Sequence, residues 1–91
     1  MKKCEVIAQR IRDLGCVDGD VVGQLGVDLG DLYAGVERCK LLIELLLTTP
    51  VDQRDRVAEV LAELSVELRH IDYHAKSSLG MVDTLADEVD P

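Results

Sequence analysis

Two histidines and a glutamate are the residues of this 91-residue chain whose types and spacing could support chemistry. Glu67, His70 and His74 fall at i, i+3 and i+7 in a segment of helical periodicity. Glu-x-x-His sets a carboxylate and an imidazole on adjacent turns. Four-helix di-metal carboxylate sites use that spacing, with a further Glu from each facing helix. Glu37 and Glu44 are the acids that could face it in a symmetric dimer. His70 and His74 at i, i+4 could also hold a surface zinc ion. The heptad phase weighs against a built site. Glu67 and His74 flank the apolar seam, His70 lies farther out, and Glu37 and Glu44 point away from their own seam. Ordinary surface residues are commoner at such positions. The three are therefore kept as metal candidates, with no cofactor and no catalytic residue assigned.

The run His74-Ala-Lys76-Ser-Ser-Leu-Gly-Met-Val resembles the phosphorylated histidine segment of histidine kinases and phosphotransfer domains, which also sit on helical bundles. The resemblance is confined to residues 74–82 and implies phosphotransfer at His74. The His-to-Lys spacing departs from either pattern, and only a short stretch follows where those proteins have a second helix. Elsewhere, Cys39 falls on an apolar seam and reads as a small core hydrophobe, since reactivity needs exposure and a depressed pKa. The glycine-rich run 23–30 lacks the Lys-Ser/Thr ending of a phosphate loop, and no Ser-His-Asp or zinc-ribbon spacing appears. A non-enzymatic function is the expectation.

The elements that must position these residues read as three helices. Over 2–14, Cys4, Ile7, Ile11 and Leu14 share one face, and Gly15 stands where a left-handed residue ends a helix. Residues 16–20 read as a turn. Over 20–48, Val22, Leu25, Leu29, Leu32, Val36, Cys39, Ile43 and Leu46 alternate 3-4, a seam that asks for a long partner helix at a shallow angle. Asp20 and Asp28 both suit a helix start, because Gly23, Gly26 and Gly30 each weaken a helix by about 1 kcal/mol. Those glycines, with Gly19 and Ala34, form either a small-residue stripe for close approach of another helix or a flexible linker. Thr49, Pro50 and Asp52 signal a new helix over 50–89. Its seam is Val57, Leu61, Leu64, Leu68, Ile71, Ala75, Ser78, Val82, Leu85 and Val89, and its weakening leaves room for a break near 77–80.

Composition bounds the function. Formal net charge is −8, from 18 acids and 10 bases. That balance opposes direct binding to nucleic acid and docking on anionic membranes, and suits solubility or a basic protein partner. Basic residues concentrate in 1–12 and acids in 13–31, so the first helix could fold back on the following stretch or serve as a separate surface. Cys4, Cys16 and Cys39 are an odd set without a C-x-x-C pair, and no signal-peptide core follows Met1, so a reducing, cytoplasmic setting is expected. The longest apolar run, 41–47, is broken by Glu44 and too short to span a bilayer.

These readings converge on an all-α fold: an antiparallel helical hairpin of two long helices plus a short N-terminal helix, forming a four-helix-type bundle as a dimer. Around 41–47 the apolar residues go nearly round the helix, and such a helix must be covered on all sides. Leu41, Leu42, Leu45 and Leu47 are the expected dimer or partner interface. Asp52, Asp55, Glu59 and Glu63 are the expected acidic face toward a partner. The function expected is that of an adaptor, chaperone-like binder or inhibitor of a basic-surfaced protein, with a metal-binding or phosphotransfer bundle as the alternative.

Overall fold

A computed structural model describes residues 2–15 and 19–89. It contains three helices, α1 (Lys3–Asp13), α2 (Gly19–Thr48) and α3 (Arg54–Val89), and no strand among the described residues. The two long helices pack against each other as an antiparallel hairpin. The short helix α1 packs on α2 and, among the described residues, makes no contact with α3. The result is an elongated all-α molecule, 55 × 25 × 22 Å.

Helix α1 ends as its sequence dictates. Gly15 takes φ +80°, and its N–H donates to the Arg12 carbonyl at 2.9 Å. Residues 16–18, with Cys16 and most of the expected turn, lie outside the described residues. From Gly19 helix α2 runs unbroken through its glycines, so Asp28 is an interior residue rather than a cap. Close approach explains two of those glycines. A Cβ on Gly26 would stand 2.7 Å from the Cys4 carbonyl oxygen, and one on Gly30 would stand 2.9 Å from the Cys4 Cβ. Ala8 is buried on the same track, and the Lys3 ammonium lies 4.4 Å from the centroid of the Tyr33 ring. The small-residue stripe is therefore the bed of α1, and the linker reading falls.

The turn corrects the expected start of the third helix. Thr48 and Thr49 both send their hydroxyls backward, to the carbonyls of Glu44 at 3.0 Å and Leu45 at 2.6 Å, and so close the end of α2. Thr49 lies too far before Arg54 to cap α3. Pro50 accepts from the Gln53 N–H at 3.0 Å in a tight turn, and Gln53 in turn accepts the first helical bond from Val57. Helix α3 starts at Arg54, four residues later than the Pro50 signal suggests, and Asp52 sits in the turn. The helix then continues through 77–80 without a break. Ser78 is buried there, its hydroxyl bonded back to the His74 carbonyl at 2.8 Å.

The seam itself is turned by about one residue from the apolar pattern. On α2 the residues facing α3 are Val22, Leu25, Asp28, Leu32, Gly35, Cys39, Leu42 and Leu46. On α3 they are Val57, Val60, Leu64, Glu67, Ile71, His74, Ser78, Met81 and Leu85. Every second position of the expected seams is retained, and so is Val22 at the start of α2. The alternates Val36 and Ile43, and Leu61, Leu68, Ala75 and Val82, swing to one flank and stay exposed. A heptad can place its second contact position three or four residues after the first. Here the three-step positions hold Asp28, Gly35, Glu67 and His74 beside Leu42, Val60 and Met81, and hydropathy alone rejects those four.

Candidate functional site

The polar residues in that seam form a layer across the hairpin. Asp28 is 2% exposed. Its Oδ1 accepts from His74 Nδ1–H at 3.0 Å and its Oδ2 from the Ser77 hydroxyl at 2.8 Å. The carboxylate accepts only, which assigns the Nδ1 proton. His74 Nε2 lies 3.7 Å from Asp31 Oδ2, so the imidazole sits between two acids. Burial pushes the Asp28 carboxyl up, but hydrogen bonds from His74, Ser77 and Gln24, together with the His74 charge, outweigh it, and the net direction is down. Ser77 donates to the carboxylate and not to the imidazole, so the nucleophile-to-base bond of a catalytic triad is missing. What the layer does is fix register. One step of slippage between α2 and α3 would leave the buried Asp28 carboxylate without donors.

About two turns toward the tip, Glu67 Oε1 pairs with Arg38 Nε at 2.9 Å. Glu67 Oε2 is buried without a hydrogen-bond donor among the described residues. The expected metal set is thereby taken apart: Glu67 faces Arg38, His74 faces Asp28, and His70 is exposed on neither pairing. Among the described residues no three His, Cys, Asp or Glu side chains gather as a metal site. Glu37 and Glu44 are exposed on the outer side of α2. Asp28 and Ser77 are the residues that the sequence reading missed. Their signal was available, since Asp28 and His74 are equidistant in sequence from Val51 in the turn.

The hairpin has two chemically different flanks. The contacts Asp28–Ser77, Gly35–Ile71 and Arg38–Glu67 fix the register, which sets Val36 level with Leu68 and Ile43 level with Leu61 on one flank. These four are 44%, 54%, 45% and 48% exposed. Exposed Leu47 and Val51 continue the strip to the tip. Lys40, Arg54 and Ser65 border it, and Asp72, bound to Lys76 at 2.9 Å, is the acid at its far end. The other flank holds Arg38, Leu41, Leu42, Glu63, Val66 and Glu67 around a groove of about 360 Å³. Helix α1 lies on the first half of α2 and reaches only to the level of Glu37, so among the described residues nothing covers either flank beyond that point.

The four leucines expected to form one interface point three ways, as successive 100° steps require. Leu42 is 8% exposed and belongs to the hairpin seam, which corrects its place in that interface. Leu41 and Leu45, 61% and 39% exposed, lie on the groove flank, and Leu47 lies on the strip. Asp52, Asp55, Glu59 and Glu63 are all exposed, with Glu59 held by Arg56 at 3.2 Å. Cys4 is a half-buried free thiol and Cys39 a buried one. Among the described residues no helix is long and apolar enough to cross a membrane. Comparison with protein-family models, with curated proteins and with solved structures returned no match.

Proposed function

We propose that this protein is a non-enzymatic protein–protein interaction module that works as a homodimer, self-associating through the strip of Val36, Ile43, Leu61 and Leu68. The observation that carries the reading is the strip's composition. It is a line of large aliphatic side chains, level in pairs, on a molecule of net charge −8, and it is nearly free of acids. Two such chains repel through most of their surface, and this is the side on which they can meet without opposing carboxylates. A face apolar at three positions per heptad is also wider than a two-helix seam needs and suits a four-helix core. The acidic residues at the tip and along α3, Asp52, Asp55, Glu59 and Glu63, then remain outward for a basic-surfaced partner.

Light scattering on the wild type and on Leu68→Glu and Ile43→Lys variants tests this. The wild type is expected at dimer mass and both variants at monomer mass, with helical circular dichroism retained because neither side chain lies in the seam. A monomeric wild type, or variants that stay dimeric, would overturn the assignment.

A further inference from the structure

We propose that the opposite flank is the docking groove for a basic amphipathic helix of another protein, with Leu41, Leu45 and Val66 as its floor and Glu59, Glu63 and Glu67 as its rim. The proposal rests on reading the chain as an interaction module, but it uses none of the residues of the self-association strip.

The occupant follows from shape and charge. Leu41 and Leu45 are one turn apart on α2, and Glu59, Glu63 and Val66 follow helical spacing on α3. Ridges of that pitch on two antiparallel helices make a groove that a third helix fills by interdigitation. From the level of Arg38, beyond the end of α1, to that of Leu45 the groove runs about 10 Å at ~1.5 Å per residue. Leu41, Leu45 and Val66 are exposed along it and call for aliphatic side chains.

The charge of this flank differs from that of the strip. Among the described residues Glu63 has no ion pair and Glu67 lacks a donor for Oε2. Arg38 and Arg56 are the cations alongside, and each already serves a carboxylate, Glu67 and Glu59. The flank therefore has acids to spare beside an apolar floor. Lys or Arg at the edges of an amphipathic helix would meet Glu59, Glu63 and Glu67 while its Leu, Ile or Val residues covered the floor. A second copy of this hairpin would bring acids against acids here.

The test is titration of the full-length, 15N-labelled protein with a synthetic 14-residue Leu/Lys amphipathic peptide. Two controls accompany it, one with Glu for every Lys and one with Ser for every Leu. Amide shifts are expected at Arg38, Leu41, Leu45, Glu63 and Val66. Both control peptides, and the Glu63→Lys and Val66→Asp variants, are expected to bind at least about tenfold more weakly. Equal binding of the Leu-free peptide would reduce the effect to general polyanion attraction and overturn the proposal. So would shifts at Val36, Ile43, Leu61 and Leu68, or release of α1 from Gly26 and Gly30. Light scattering of the same samples separates the two readings: a monomer that binds the peptide at the groove sinks the dimer alone, whereas a dimer indifferent to the peptide sinks the groove alone.

Discussion

Asp28 shows how much one residue decides in this protein. A carboxylate at a seam position would ordinarily break a two-helix interface, yet three side chains donate to it and its pKa is lowered despite burial. Because the folded carboxyl is the stronger acid, unfolding takes up a proton once pH falls below the ordinary carboxylate value of about 4. The contribution is therefore complete above that pH and is lost as pH drops through the folded value. Asp28→Asn is expected to lower stability at neutral pH by about 1.5–3 kcal/mol, the range for hydrogen bonds to a charged group. Thermal unfolding from pH 7 to pH 2.5 should show the gap between wild type and variant closing in acid. A gap that stays constant would mean that the carboxylate charge contributes nothing. At this scale the sequence was least legible. Glu67, His70 and His74 looked like a metal set because they are near one another in one helix. Their partners, Asp28 and Arg38, come from the other helix, and no local pattern announces a cross-hairpin pair.

At the scale of elements, the three helices could be read from the sequence, and their facing sides only by half. The 3-4 rhythm gives length and antiparallel pairing. It cannot choose between the two flanks that share every other position, and hydropathy leads toward Leu61 and Leu68 rather than Glu67 and His74. The glycines were ambiguous for a related reason: an unpaired helix with Gly23, Gly26 and Gly30 is weak, and the same helix with α1 on it needs them. This makes Gly30 a test of docking. Gly30→Leu would drive a side chain into Cys4, whose Cβ already lies 2.9 Å from the nearest added carbon. Overpacking of that kind costs about 1–3 kcal/mol, and α1 has no contact with α3 to hold it in place. The expected outcome is loss of amide-exchange protection across α1 and faster reaction of Cys4 with a thiol reagent, while protection near Leu25, Leu42 and Val60 persists. Protection lost evenly over all three helices would show that α1 is part of the folding unit rather than an attachment to it.

For the molecule as a whole, salt separates the two surfaces. Among the described residues the buried apolar side chains are Ala8, Val22, Leu25, Cys39, Leu42 and Val60, which is a small core. Self-association through the strip would add to that core against the mutual repulsion of two chains of charge −8. Screening weakens that repulsion: the Debye length falls from about 10 Å at 0.1 M salt to about 3 Å at 1 M. Apolar burial is untouched by screening, so dimerisation should tighten as salt is added. Docking of a basic helix in the opposite groove draws on attraction across an acidic rim and should loosen over the same range. Sedimentation equilibrium at 0.05, 0.15 and 0.5 M sodium chloride, with peptide titrations alongside, should therefore give constants that move in opposite directions. If both weaken together, the contact between copies is held by ion pairs. The acidic side of the hairpin would then be the surface through which the chain meets itself.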